Sequence, residues 1–507
     1  MRVTSKMMTS NMLNNINRNK TTMSALGNQY STQQKIQRPS EDPVVAVRSL
    51  KYRTSITELD QYYKKNVPDA MSWISNTETA LQSVNEILTS MNTYFNQGAN
   101  DTLETTERDA LVQTLTEYKE QIYQCLNADY AGRYLFTGFR TDTSLMFEEK
   151  PENIQYSINE PLSSSSLQIF TYVTGGAEYT PGNTSVDYAG SAAAKNTGYR
   201  MNLAYNNIDE VTDFSYKDKT GTKIEPAIQQ ISISDPNAYD IEAYNKANGT
   251  NYSALVIEET GEMIMTKDLY TSLQSATDIQ VQYTKSEFDK GNPRPEHFFD
   301  CTKSETTIDP ATGKPKVVAG TEKSYTVPSS QKIQYEVNFS QSITVNTLAN
   351  ESVNFDLINQ IDDVINQIKK VQDVEEKLSN IESMIKNGTY NASEKDAVLE
   401  LKTQVENELA LEKSVLQEKF GNGITTTTKT QASVNKVVAD LGSRYKRLEL
   451  TEARLSDQLT TFNEMLTSND KVDLEDAIVN YTSALTAYNA SLNATAKIAQ
   501  NSLLDFL

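Results

Sequence analysis

The sequence predicts an elongated, multidomain α+β protein. In this fold, paired N- and C-terminal helices form an antiparallel bundle and a β-rich domain is inserted between them. Apolar residues recur at every seventh position near both ends of the chain, which indicates helices that pack along narrow seams. In the middle of the chain this period gives way to short alternating apolar runs, which are typical of half-buried strands.

The N-terminal zone contains three predicted helices. The first, Val3–Gln34, ends before Arg38–Pro43, because each proline there disfavours helical backbone at the residue that precedes it. The second ends at Gly98–Asp101, and the third runs from about Thr105 to Ala131. The apolar stripe of the first helix consists of Met12, Ile16, Met23, Leu26 and Tyr30. The heptad row of the second consists of Val67, Ile74, Leu81, Leu88 and Phe95.

The C-terminal zone begins with a predicted helical hairpin. Its helices span about Asn354–Ile385 and Ser393–Phe420 and are joined at Lys386–Thr389. We expect the Gly421–Gly423 turn and the Thr425–Thr428 run to separate this hairpin from the helices that follow, since clustered turn residues interrupt helical patterns. The next heptad row consists of Val434, Leu441, Leu448, Leu455 and Phe462.

A last helix follows a break at Ser468–Asp470 and is predicted over Val472–Leu507. Its apolar residues recur on one face, as expected for a helix that packs against other helices. They include Ile478, Leu485, Leu492, Leu503, Leu504 and Leu507.

The zone between about Asp142 and Asn350 is predicted to be β-rich. Most glycines and prolines lie here, and apolar residues alternate over short runs. Ser340–Ser342 is expected to form a hairpin turn between a strand ending at Phe339 and one beginning at Ile343. Further strands are predicted at Gln229–Ile233, Leu255–Glu258 and Ile279–Tyr283.

The two helical ends are predicted to pair with each other. A narrow apolar seam buries little surface alone and needs a partner stripe, and the two long seams are similar in length. We therefore expect one domain from residues 1–36 with 470–507, a second from 37–145 with 331–469, and a β-rich insertion over 146–330. The alternative is a separate helical domain at each end.

Composition excludes several partner classes. The net charge of -20 disfavours binding to nucleic acid or to anionic membranes. The sequence has no apolar run long enough to span a bilayer, and its N-terminus lacks the apolar core of a secretory signal peptide. Taken alone, these features favour a cytoplasmic protein.

The sequence contains no recognisable catalytic, cofactor-binding or metal-binding constellation. The single histidine, His297, has no neighbouring cysteine or histidine at zinc-ligand spacing, and a packed or surface loop role is expected for it. Thr312–Lys314 resembles part of a phosphate-binding loop, but Ile308 stands where the first glycine is required. Cys125 and Cys301 are too few for a disulfide framework, and Cys125 is expected to be a buried thiol. We therefore expect that the protein is not an enzyme and that it binds no cofactor.

Motifs at both ends of the chain resemble the flagellin superfamily. The resembling segments are Met1–Leu13, Leu26–Ile36, the acidic turn Arg38–Pro43 and the C-terminal Tyr488–Leu507. Two more segments, Ala128–Phe139 and Leu441–Leu448, are similar to the branch of hook–filament junction proteins. The resemblance covers the two ends and leaves out the β-rich zone.

This resemblance implies a structural protein of the bacterial flagellum. It implies export in an unfolded state through the flagellar type III apparatus, without a cleaved signal peptide, to an extracellular position. The implied partners are further copies in a ring, the first hook-associated protein, flagellin and a cytoplasmic export chaperone. The seam residues of the first and last helices, from Met12 to Tyr30 and from Ile478 to Leu507, are then the expected assembly contacts.

Two other functions remain open at this stage. The chain could be a flagellin, although the ending Leu503–Leu507 and the segment Tyr30–Gln34 favour the junction branch. From a different class, it could be a coiled-coil surface adhesin whose β-rich zone binds a ligand.

Overall fold

Helix boundaries near the N-terminus follow the prolines and capping residues of the sequence. The computed structural model describes residues 5–100, 105–177, 190–308, 315–328, 330–387 and 392–504. Helix α1 spans Ser5–Thr32, and α2 begins at the second proline and spans Pro43–Gln61. The carboxylate of Asp42 caps α2 by accepting hydrogen bonds from the backbone N–H groups of Val44 and Val45. The predicted interruption at Arg38–Pro43 is confirmed.

The described residues divide into two compact units. The terminal unit combines Met1–Met71, Tyr335–Ile343 and Lys446–Leu507. The central unit combines Ser72–Gln334 and Thr344–Tyr445. Each unit therefore joins N-terminal to C-terminal sequence, as the paired-ends prediction requires and as separate helical domains would not.

The remaining helices include one that is 79 residues long. A π-helical turn at Tyr62–Asn66 follows α2. The helices are α3 (Val67–Gly98), α4 (Thr105–Leu126), α5 (Ile241–Asn248), α6 (Lys267–Leu273), α7 (Ala349–Ser352), α8 (Phe355–Asn387), α9 (Ala392–Asp470) and α10 (Leu474–Leu504). The helix that was expected to reach Ala131 ends earlier, because a hairpin of β1 (Asp129–Tyr130) and β2 (Arg133–Tyr134) turns through Ala131 and Gly132, both at positive φ.

The expected break between the helical hairpin and the C-terminal helices is wrong. Helix α9 continues without interruption through Gly421–Gly423 and the threonine run. Gly423 packs against α3: a Cβ at this position would lie 3.1 Å from the Phe95 ring, so a larger residue requires that ring to shift by a few tenths of an ångström. The Thr425 and Thr428 hydroxyls donate to carbonyl oxygens one turn earlier, which satisfies these hydroxyls within the helix.

Within the central unit, α3 and α9 run antiparallel. Phe95 stacks edge-on against Phe420 at a ring distance of 6.2 Å, and further along the side chain of Gln431 donates to Thr89. The heptad rows of both helices are buried, as predicted, except for Phe462 at the end of the α9 row, which is half-buried. The residues with no exposed surface include Ile74, Leu81, Leu88, Phe95, Val434 and Leu441.

Two sheets occupy the β-rich zone of the central unit. The strands are β3 (Ile154–Leu162), β4 (Gln168–Ala177), β5 (Gly190–Asn202), β6 (Glu210–Lys217), β7 (Lys223–Ile224), β8 (Ile228–Ile231), β9 (Ala254–Ile257), β10 (Glu262–Met265), β11 (Thr277–Lys285), β12 (Asp300–Ile308), β13 (Pro315–Val317) and β14 (Lys323–Tyr325). One sheet has the order β4-β5-β10-β9-β8, with β8 parallel to β9 and the other pairs antiparallel. The other is antiparallel in the order β13-β12-β3-β11-β6-β7, and β14 also pairs with β12.

The three predicted interior strands are confirmed as β8, β9 and β11. The predicted hairpin is confirmed as β15 (Gln334–Asn338) and β16 (Gln341–Thr344), with its turn slightly earlier than expected, at Phe339–Ser340.

A single apolar core holds the two sheets of the central unit together. It contains Tyr156 and Tyr283 from one sheet and Met201 and Met263 from the other, all without exposed surface. Arg200 of β5 pairs with Asp363 of α8, and Lys419 of α9 pairs with the same carboxylate. Burial acts to raise the pKa of Asp363, but these two cations outweigh it and hold the pKa below its ordinary value. The network fixes the sheet against both helices.

Valine at Gly421 and at Gly423 tests the packing explanation. Gly423→Val should destabilise the protein by about 1–3 kcal/mol, because the side chain must displace the Phe95 ring. Gly421→Val is the matched control, since a Cβ there meets nothing within 4 Å, and its effect should stay within about 0.5 kcal/mol. Chemical denaturation of both variants measures the difference, and equal stabilities would contradict the packing role of Gly423.

Candidate assembly surface

Helices α1 and α10 lie side by side and antiparallel within the terminal unit. Their connecting segments fix this direction through an antiparallel bridge between Gln34 and Lys471. The backbone N–H of Lys35 donates to the carbonyl of Asp470 at 2.8 Å, and that of Val472 donates to the carbonyl of Gln33 at 3.1 Å. The end of α1 is therefore held at the beginning of α10.

Aromatic rings mark the start of the contact between α1 and α10. Tyr30 and Tyr481 stack with ring centroids 6.0 Å apart and an interplanar angle of 11°. Gly27 lies under the Tyr481 ring, where a Cβ would be 3.1 Å from the nearest ring carbon. Close approach of the helices thus depends on a residue without a side chain.

The predicted seam residues lie on this helix pair, and they are incompletely covered. The half-buried ones are Met12, Ile16, Met23, Leu26 and Leu485. Tyr30, Ile478 and Leu492 retain 42%, 43% and 40% of their surface exposed. Helix α10 extends through Leu503 and Leu504, whose side chains are outside the described part of the structure, and Leu507 lies outside the described residues.

Further apolar side chains of the terminal unit are exposed, and most of them lie outside the stripes predicted from the sequence. They are Met7, Met8 and Leu13 of α1, Val44, Val47 and Leu50 of α2, Leu450 and Met465 of α9, and Leu474 and Val479 of α10. Most lie off the heptad rows, so a search for one stripe per helix misses them. The run Val44-Val45-Ala46-Val47 was the available signal, because consecutive apolar residues point to every side of a helix. We call these ten side chains the exposed apolar set.

Asp470 joins the helix pair to α2. Its carboxylate accepts hydrogen bonds from the hydroxyl of Ser49 at 2.9 Å and from the guanidinium of Arg53 at 3.0 Å. Burial acts to raise the pKa of Asp470, but Arg53, Asn469 and Ser49 outweigh it and hold the pKa below the ordinary value. A lowered carboxyl pKa contributes stability above the ordinary Asp range, and this contribution is lost as the pH falls through the folded-state pKa.

Helix α2 pairs with the last part of α9 in the same unit. The side-chain amide of Asn469 donates to the backbone of Val45, and Tyr52 contacts Phe462 at a ring distance of 6.2 Å. A pocket of about 300 Å³ lies beside these contacts. Its lining is partly apolar and includes Ile36, Pro39, Ala46 and Leu50.

The structure shows the surroundings of His297, Cys125 and Cys301. His297 is buried in a short 3₁₀ turn, with Nε2 3.0 Å from the carbonyl oxygen of Ser144, and burial lowers the pKa of its imidazole. Among described residues, no group of three or more His, Cys, Asp or Glu could hold a metal ion. Cys301 is a buried free thiol, but Cys125 is only half-buried, which corrects the expectation of a fully buried side chain. Thr312–Lys314 lies outside the described residues.

No helix in the described part of the chain is both long enough and apolar enough to cross a membrane.

Two family models match the helical ends of the chain. The family model of the bacterial flagellin N-terminal helical region matches residues 3–141, and that of the C-terminal helical region matches residues 424–507. The two ends of the chain are thus similar to flagellin helical regions. The matched regions include α1, α2, α10 and the last part of α9.

Individual relatives match parts of the chain. It is 26% identical over 157 residues to flagellar hook-associated protein 3 of Escherichia coli K12, covering 30% of this chain and 47% of the relative. It is 27% identical over 199 residues to a flagellin of Clostridium tyrobutyricum, covering 39% of this chain and 52% of that flagellin. The chain thus spans about half the length of these curated relatives.

Among solved structures, the flagellar junction protein of Legionella pneumophila is similar at 12% identity. The match covers 83% of this chain and 99% of that one, with a TM-score of 0.29.

Two leucines of α9 test which side of the terminal unit is buried. Leu455 has no exposed surface, whereas Leu450 is 66% exposed. Leu455→Asp should lower the free energy of unfolding by more than about 3 kcal/mol, because it buries an unpaired charge. Leu450→Asp makes the same chemical change on the same helix and should stay within about 0.5 kcal/mol. Thermal and chemical denaturation give both values, and similar losses in the two variants would reject this assignment of faces.

Proposed function

We propose that this chain is a structural component of the bacterial flagellum and that it has no enzymatic activity. In finer terms, it is a junction protein that joins the hook, through the first hook-associated protein, to the flagellin filament. The flagellin-type ends and the likeness to hook-associated protein 3 support this assignment.

The observation that carries the proposal is the incomplete cover of α1 and α10. Their contact buries only part of each apolar stripe, and the exposed apolar set lies around them. A monomeric protein rarely leaves so many large apolar side chains uncovered on neighbouring helices, whereas an assembly interface does so. Helices from other subunits are the natural cover for such surfaces.

The partners and location follow from the same proposal. The chain associates with further copies in a ring, with the first hook-associated protein on one side and with flagellin on the other. It reaches this extracellular position through the flagellar type III apparatus, with a cytoplasmic chaperone before export. Residues 1–36 with 470–507 form the assembling layer, 37–145 with 331–469 its support, and 146–330 the outer β-rich insertion.

A filament subunit is the second candidate function. The match to the Clostridium tyrobutyricum flagellin covers more of this chain than the match to hook-associated protein 3 of Escherichia coli. Labelled protein distinguishes the two functions, because a flagellin lines the whole filament whereas a junction protein stays at its base.

Removal of Ser491–Leu507 tests the junction function. The deletion removes the end of α10, including Leu492, which is 40% exposed, so we expect a protein that is produced but not incorporated. Cells that carry only this version should keep normal hooks, lack filaments and release flagellin into the medium. Electron microscopy and immunoblots of the medium provide the measurements.

A matched pair of point variants controls for the size of the deletion. Leu492 of α10 and Leu399 of α9 have similar exposure, at 40% and 43%. Leu492→Asp should reproduce the loss of filaments, and Leu399→Asp, outside the terminal unit, should leave them intact. Filaments of normal length in the deletion strain would reject the junction assignment.

A further inference from the structure

A cleft of about 240 Å³ opens beside the five-stranded sheet of the central unit. Strands β4 and β5 form one side of it, and the first residues of α5 and α6 form the other. This volume is slightly below that of sites for drug-sized ligands, so the cleft suits a smaller molecule. We call it the β4–α5 cleft, and its lining includes Tyr172, Asn196, Asp240, Glu242, Ile264 and Lys267.

Tyr172 of β4 supplies the aromatic surface of the cleft. Its ring stacks on Phe170 with centroids 5.4 Å apart and an interplanar angle of 29°, which covers one face and leaves the other for the cleft. Gly198 of β5 permits this arrangement, because a Cβ there would lie 2.7 Å from the Phe170 ring and 3.1 Å from the Tyr172 ring. Tyr172 is half-buried, so its ring is held in place before a ligand arrives.

Hydrogen-bonding groups surround this ring. Asp240 accepts a backbone N–H of α5 through one carboxylate oxygen, and within the described part of the chain its other oxygen has no partner. Glu242 is exposed. Burial and then these two carboxylates raise the pKa of Tyr172 to about 12, which shows that both lie close to its hydroxyl. The side-chain amide of Asn196 donates to Thr174, which leaves its carbonyl oxygen as a further acceptor.

The surroundings of the cleft favour a ligand without net charge. The two carboxylates are balanced by Lys267 at the start of α6 and by Lys370, which lies 4.4 Å from the centre of the Tyr239 ring. A cationic ligand would therefore meet a cation that already covers one ring. The rings of Tyr172 and Tyr239 are 6.3 Å apart, which is too close to admit a cation between them as an aromatic cage does.

We infer that the β4–α5 cleft binds a neutral saccharide, with the C–H face of one sugar ring on Tyr172 and its hydroxyls on Asp240 and Glu242. A sugar ring presents an apolar C–H face and hydroxyls that both donate and accept, which matches an aromatic surface edged by polar groups. Neighbouring hydroxyls suit a carboxylate, because its two oxygens accept from both donors. The inference goes beyond the proposed function, since it adds ligand binding to the central unit and involves no residue of the terminal unit.

Binding of simple glycosides to the purified full-length protein tests the inference. The probes are the methyl glycosides of glucose, galactose, mannose, N-acetylglucosamine and N-acetylgalactosamine, each measured by saturation-transfer NMR and titration. At least one of the five should bind. Choline at the same concentration is the probe for a cationic ligand and should give no signal.

Variants of the cleft locate the bound glycoside. Tyr172→Ala should weaken binding about tenfold because the aromatic surface is lost, whereas Tyr172→Phe should bind as the wild type does. Glu242→Gln should also weaken binding about tenfold, because charge-assisted hydrogen bonds are lost. Glu242 is exposed, so this variant keeps the test valid even if Tyr172→Ala lowers the melting temperature. Glu287→Gln makes the same change at an exposed position outside the cleft and should keep affinity within about twofold.

Three results would overturn the inference. The first is the absence of binding by all five glycosides. The second is binding of choline in place of the glycosides, which would make the cleft a cation site. The third is glycoside binding that Tyr172→Ala and Glu242→Gln both leave unchanged, which would place the saccharide elsewhere. None of these results bears on filament assembly, so the proposed function is tested separately.

Discussion

The antiparallel contact between N- and C-terminal helices is the constraint on which the rest of the structure depends. It recurs in both units, as Tyr52 against Phe462 in the terminal unit and Phe95 against Phe420 in the central unit. Each contact joins residues hundreds of positions apart. The β-rich zone therefore forms part of a long loop whose two ends are held together by paired helices. Closing so long a loop costs conformational entropy. Burial of the heptad rows and close packing of α3 on α9 offset this cost.

The completeness of this contact differs between the two units. In the central unit the paired rows have no exposed surface, and Gly423 admits the Phe95 ring. In the terminal unit the equivalent residues of α1 and α10 are half-buried or exposed. The central unit buries its paired helical rows within one chain, whereas the terminal unit does not. This difference is expected of a subunit whose terminal helices are covered by neighbouring subunits. The proposed function follows from the apolar surface that a single copy leaves exposed.

Much of the helical architecture could be predicted from the sequence, because heptad periodicity is a local signal. The rows of α3 and α9, the break at Arg38–Pro43 and the hairpin of β15 and β16 are all confirmed. The uninterrupted course of α9 could not be predicted: glycine is ambiguous between turn and close packing until its neighbour, here Phe95, is known. The sheet order was also beyond reach, because pairings such as β5 with β10 join distant segments and leave no mark on local sequence.

The candidate assembly surface could also be predicted only in part, because exposure of a side chain depends on contacts with distant segments. The stripe from Met12 to Tyr30 follows from spacing alone, whereas exposure of Met7, Leu13 or Val479 depends on what packs nearby.

Hydrogen exchange of the free and the assembled protein tests the central claim most directly. In a monomer confirmed by light scattering, backbone amides of α1 and α10 should exchange far faster than those of α3, because their contact is too incomplete to protect them. After incorporation into hook–filament structures, α1 and α10 should become as protected as α3. Equal protection of α1, α10 and α3 in the free monomer would show that the ends are already complete and would contradict this account.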